Sequence, residues 1–298
     1  MTSLADRWRS LMQRTFGGVD GPPPWSAKVE TGSDAGYFGP GSAAWEVHGG
    51  MPTIVAGIRA LLMQTLHPGA MAGVHDHSRY TADPLGRLQG TVQWVVVVTF
   101  GDRAAAEKES GRVGRFHDRV HGEFTDASGG QRPYSAHDPD LLRWVHLVFA
   151  DAFLRSHEIW GSPIPGGADG YVREWARAGE LVGVTDAPRS EAELRAQLAG
   201  FAPHLRSDAR VAEAVRFIRR PPLEPAAATA YRVLFAGAVA SLPKDVRRML
   251  GLRRPLFPAI TATRLLLRLV EALAGRRSGA EAAALRRIAA LEDQSAAR

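Results

Sequence analysis

The run Thr91-Val92-Gln93-Trp94-Val95-Val96-Val97-Val98-Thr99-Phe100 decides the fold class of this chain. Its β-branched residues favour a buried strand by propensity, and a continuous apolar run carries no period that separates strand from helix. Two features of the surrounding sequence point the other way. Leu85, Arg87 and Leu88 extend the pattern backwards into a helix-length element over about 84–100, with Asp83-Pro84 as its cap and first helical position. No second run of comparable strand character exists to pair with it, and an orphan strand leaves its backbone donors and acceptors unsatisfied. The segment reads as a helix, and the chain as all-α: a single multi-helix domain.

The flanks agree with that reading. Upstream, Ile54, Ile58, Leu61, Leu62 and Thr65 recur at helical spacing from Met51, and His67-Pro68-Gly69 closes the element ahead of a His-rich turn, Val74-His75-Asp76-His77-Ser78. Downstream of Gly101-Asp102, a helix over about 103–124 places Val113, Phe116, Val120 and Phe124 on one stripe, with His117 and His121 on the same side. A polar loop, Asp126 to Pro139, leads into a helix over about 139–156 that puts Leu142, Val145, His146, Phe149 and Phe153 on one face. Further helices are expected at 168–179, at 190–204 behind a Ser190/Glu193 capping box, at 207–218 and at 225–241. A leucine-rich helix follows Pro258, and an Ala- and Arg-rich helix ends the chain. Residues 1–50 read as an N-terminal helix over 1–16 and a Gly/Pro-rich arm, 51–275 as the helical domain and 276–298 as the terminal helix.

Composition narrows the function classes. With 298 residues, 45% hydrophobic and 23% charged, the chain can bury a substantial core. Its net charge of +6 comes from 37 Lys and Arg against 31 acids, nearly all the basic residues being arginine, with the pairs Arg219-Arg220, Arg247-Arg248, Arg253-Arg254 and Arg276-Arg277 in the C-terminal third. Basic residues without interleaved aromatic stacking partners do not point to a nucleic-acid partner; contact with an anionic membrane surface stays open. The absence of cysteine removes disulfides, thiolate zinc sites, iron–sulfur clusters and thiolate-ligated or covalently attached haem. The densest apolar run, Trp94–Phe100, is far short of the ~20 residues that span a bilayer, and Met1–Gly17 has no uninterrupted apolar segment of the signal-peptide kind. A cytoplasmic location is expected. No G-x-S-x-G, P-loop or dinucleotide-binding fingerprint supports a hydrolase, NTPase or Rossmann reading.

Histidines on apolar helix stripes carry the remaining chemistry, because burying an imidazole is costly unless both ring nitrogens find partners or a metal. His117, between Phe116 and Val120, offers an imidazole in hydrocarbon surroundings, which is the setting of a haem proximal ligand. His146, between Val145 and Phe149, offers a second ligand, a distal polar group or a core histidine bonded to a carbonyl. His117 and His121 stand one helical turn apart, a spacing that can grip one metal, but the intervening Asp118-Arg119-Val120 supplies no zincin glutamate. His75-Asp76-His77 is a weak metal motif, and His67 a helix-end residue. Arg87 and Thr91, one turn apart on a face with Trp94, Val95 and Val98, present a cation and a hydroxyl to whatever lies there.

Taken in order, several of these pieces resemble the MpaB and rubber oxygenase family, which includes latex clearing proteins. They are His67-Pro68-Gly69-Ala70-Met71-Ala72-Gly73-Val74, then His77-Ser78, Arg87 and Thr91, Thr99-Phe100-Gly101, and His117, Val120 and Gly122 as H-x-x-V-x-G. Tyr134, Ala136, Asp138-Pro139 and Trp144-Val145-His146 complete the series. The resemblance implies a globin-related helical core binding haem b, with His117 as iron ligand and Arg87 and Thr91 lining the distal pocket. His121 and His146 are further cofactor-side candidates. It also implies oxidation of a small apolar substrate by dioxygen, with isoprenoids among the candidates. Where family members often carry arginine on either side of the ligand, this chain has Gly114 and His121; where the rubber-cleaving branch has lysine beside the threonine, it has Gly90, so polymer cleavage is not expected. A non-catalytic haem sensor or carrier, and a metal-free helical binding module, are the alternatives.

Overall fold

Residues 84–100 fold as a helix. The computed structural model describes residues 25–77, 84–275 and 278–296, without the side chains of 84–88, 226 and 274; the expected helix over 1–16, the cap Asp83 and the side chain of Arg87 lie outside those described. In chain order the helices are α1 (Ser26–Glu30), α2 (Ala43–Gly49), α3 (Pro52–Gln64), α4 (Pro68–His77), α5 (Pro84–Phe100) and α6 (Arg103–His117). A two-stranded hairpin follows, β1 (His121–Thr125) and β2 (Gln131–Ser135). Then come α7 (Pro139–Trp160), α8 (Gly167–Glu180), α9 (Glu191–Gly200), a short 3₁₀ turn at Ala202–His204, α10 (Ala209–Arg219), α11 (Pro225–Ser241), α12 (Lys244–Met249), α13 (Ala259–Ala274) and α14 (Gly279–Ala296). The chain is all-α with one small hairpin inserted.

The centre is the pairing of α3 with α7, and Leu62, Leu66, Trp144, Leu147, Val148 and Leu154 are buried in the core around it. One ion pair sits inside it: Arg59 Nη2 meets Asp151 Oδ2 at 2.8 Å, with Arg59 only 2% exposed. The end of the Gly/Pro-rich arm enters this core as α2. Ser42 caps it, accepting from the Trp45 amide at 3.2 Å, and Trp45, Val47 and His48 are buried. At the other end of the chain, α14 lies on α1 and its buried Arg287 donates to the Val29 and Phe100 carbonyls. A guanidinium serving backbone acceptors thus ties both termini of the described chain to the end of α5.

Three local expectations are corrected. The helix expected over 103–124 ends at His117, where the Val120 amide turns back to the His117 carbonyl at 2.9 Å. The apolar period beyond it belongs to a hairpin: Val120 and Phe124 pack with Ala72, Tyr134 and Leu141, while Phe116 is 46% exposed. The strands are only five residues long and carry Gly122 and Pro133, so propensity hid them. Their turn is nonetheless well specified. Asp126 Oδ1 accepts from the Ser128 and Gly130 amides at 2.9 Å, and Gly129 adopts φ +94°. Gly122 is required opposite Tyr134, whose ring would lie 3.0 Å from an added Cβ. Finally, the His-rich turn is the last turn of α4.

Candidate functional site

The site grows from the antiparallel pair α5–α6. Asp102 starts α6 by accepting from the Ala105 amide at 2.8 Å. Glu109, 2% exposed, then fixes the register by meeting Lys28 at 2.6 Å, Arg112 at 2.6 Å and Gln93 Nε2 at 2.7 Å. Burial pushes its carboxyl up, but these hydrogen bonds outweigh burial and hold it below the ordinary carboxylate range. One step along, Trp94 Nε1 donates to Ser110 Oγ at 3.1 Å, and Arg112 donates to the Gly90 carbonyl at 3.4 Å. Position 87 lies about one turn before Gly90 on α5, and His117 ends the last turn of α6. Thr91 is exposed.

His117 is half-buried at that end. Among the described residues its ring nitrogens make no hydrogen bond; its neighbours are the Phe116 ring at 6.4 Å and the His137 ring, edge-on at 5.7 Å. Burial, and then the proximity of His137, lower its pKa, with Asp118 opposing. The imidazole is therefore neutral near pH 7, the form that can donate a lone pair to a metal. Nearby on the two helices, a Cβ added at Gly90 or Gly114 would meet no heavy atom within 4 Å.

The other candidates go elsewhere. His121 is on β1 rather than one helical turn from His117; it is exposed, its carbonyl meets His77 Nε2 at 2.9 Å and its ring lies 6.4 Å from that of His77. His146 faces α8, so close that a Cβ on Gly179 would lie 2.7 Å from its Nδ1, and burial lowers its pKa to about 4. No hydrogen bond or ring contact among the described residues joins His121 or His146 to His117. His75 pairs with Asp76 at 2.9 Å, and Asp76 also meets Arg210 at 3.7 Å. His67 is buried against Trp144 and Phe201 and receives the Ala70 amide at 3.5 Å, so it serves the start of α4 rather than the end of α3.

His137 was not among the candidates, although it sits between Ala136 and Asp138, both part of the quoted pattern. Its Nε2 meets Asp118 Oδ1 at 2.8 Å, which pins the ring against His117. Its position in a polar loop, with no apolar stripe around it, gave no signal. Among the described residues no three His, Asp or Glu side chains gather into a metal-holding group. A haem iron needs only one axial side chain, so the donor set fits a haem better than a free ion.

Compared with known proteins, residues 45–274 match the family model described as ER-bound oxygenase mpaB/B'/Rubber oxygenase, catalytic domain. No curated protein and no solved structure matches. The match begins inside α2 and runs to the end of α13. No helix among the described residues is long and apolar enough to cross a membrane.

Proposed function

The chain belongs to the mpaB/rubber oxygenase family, an oxygenase catalytic domain, and from that premise we propose that it is a haem-b-dependent oxygenase acting with dioxygen on a small apolar substrate, isoprenoids among the candidates. The observation that carries the reading is His117: a neutral, half-buried imidazole without a hydrogen-bond partner among the described residues, at the open end of the α5–α6 pair. Haem b, when bound, supplies the iron that activates dioxygen.

The protein's share is ligation, orientation and exclusion of water. His117 would hold the iron through a ring nitrogen, and His137, anchored on Asp118, limits how far the ring can swing. Phe116 stays 46% exposed in the protein alone and would give a flat macrocycle an apolar wall. Arg87 and Thr91, one turn apart on α5, would face the bound cofactor, the guanidinium serving as an anion partner and the hydroxyl as a hydrogen-bond donor. His146 and His121 are assigned no ligand role, the first held against α8 and the second at the surface.

An absorption spectrum tests this. The haem-loaded protein should show a Soret band that is lost or strongly shifted in His117→Ala and kept in His75→Ala. An unchanged spectrum in His117→Ala would overturn the ligand assignment. Oxygen uptake driven by an apolar substrate separates an oxygenase from a haem carrier, which takes up none.

A further inference from the structure

Six large hydrophobic side chains stand exposed among the described residues, and four of them, Leu256, Phe257, Leu265 and Leu269, fall within fourteen residues of one another. Leu256 is fully exposed at the tip of the loop entering α13. On α13, Thr261, Leu265, Arg268, Leu269 and Ala272 recur at helical spacing on the outer face. The inner face is firmly seated. Ala259, Thr263, Leu267 and Val270 are buried, Thr263 Oγ1 donates to the Val233 carbonyl at 3.1 Å, and Trp160 Nε1 donates to the Ile260 carbonyl at 3.1 Å. The exposed leucines are thus displayed on a rigid element.

Charge identifies what could cover them. Residues 244–274 contain seven Lys and Arg against two acids, a surplus of five in a chain whose net charge is +6. Arg248, Arg253, Arg254 and Arg268 are exposed and make no ion pair with any described residue. Apolar side chains projecting among unpaired arginines suit a lipid surface that offers anionic headgroups and, beneath them, hydrocarbon. A second copy of the chain suits it poorly, because a two-fold contact would bring these arginines against their own counterparts. We propose that the loop Gly251–Pro258 and the outer face of α13 dock this protein on an anionic bilayer surface, Leu256 and Phe257 entering the interface and the arginines holding the headgroups. The proposal does not depend on the haem reading.

Vesicle co-sedimentation of the full-length protein tests it, with phosphatidylcholine alone and with phosphatidylserine added. Binding should require the anionic lipid and weaken as salt rises above physiological strength. Arg253→Glu with Arg254→Glu, and separately Leu256→Ser with Phe257→Ser, should each lower partitioning at least about tenfold; all four positions but the last are highly exposed loop residues, and an unchanged thermal melt verifies folding. Because the chain has no cysteine, Leu256→Cys carries an environment-sensitive dye at one site, and its emission should shift to the blue on anionic vesicles while Ala127→Cys, in the exposed hairpin turn, does not shift. Equal binding to neutral vesicles, no binding to either kind, or a salt-insensitive dimer abolished by Leu265→Ser with Leu269→Ser would each overturn the proposal.

Discussion

His146 and His117 occupy apolar stripes of similar appearance in sequence and opposite surroundings in space. His146, 6% exposed, lies flat on the backbone of α8 at Gly179 and shares its deep interior with His48, whose Nε2 meets the Tyr171 hydroxyl at 3.1 Å. His117 ends a helix whose last apolar residue, Phe116, faces open space. The difference teaches that an apolar stripe identifies a face and not a function. The interior histidines are enclosed by protein, whereas His117 is only partly buried.

If the α3–α7–α8 interior is the rigid half of the comparison, the largest loss should come from breaking it. Asp151→Ala leaves Arg59 buried without its 2.8 Å partner, at an expected cost of about 3–5 kcal/mol in urea unfolding. Replacing both partners, Arg59→Met with Asp151→Leu, should recover most of that; equal losses would mean that shape rather than charge governs the position.

Acid should attack the same half next. Burial lowers His48 to about 3, with His157 nearby adding to the shift, and lowers His146 to about 4, both from 6.5. The unfolded chain binds these protons more readily than the folded one, so stability is complete above about pH 6.5 and declines as pH falls toward the folded values. His48 contributes about 5 kcal/mol and His146 about 3 kcal/mol across that window. A shallower decline in His146→Gln than in the parent would support the assignment, and an identical slope would remove His146 from it.

Gly179→Ala probes the contact itself. The new Cβ would press on His146 Nδ1, and overpacking of this kind costs about 1–3 kcal/mol, read as a lowered unfolding midpoint. Compared in the haem-free state, His117→Ala should change unfolding stability least, within about 0.5 kcal/mol, although it is the variant expected to lose the haem spectrum. A large loss of stability there would place His117 with the structural histidines.

Much of the architecture was legible in the chain. The helices at 139–160, 167–180, 225–241 and 259–274 announce themselves through long apolar periods and through Pro139, Pro225 and Pro258 at their starts. The hairpin was not legible, because two five-residue strands interrupted by Gly122 and Pro133 carry less pattern than the helical period that happened to continue across Val120 and Phe124. The candidate site was legible in part: its sequence order singled out His117, and the positions of Arg87 and Thr91 on α5 followed from the helix reading. His137 was not, because its relation to His117 is made by a chain reversal.

By itself the sequence determined an all-helical chain without cysteine, with a helix at 84–100, and its family, since these depend on local propensity, periodicity and the order of motifs. Only the tertiary structure decided which histidines are enclosed and which face outward, that His121 leaves the helix of His117, and that the leucines of α13 stand among unpaired arginines. Burial and neighbourhood are properties of packing between distant segments, and a stripe on one helix does not state whether another element covers it.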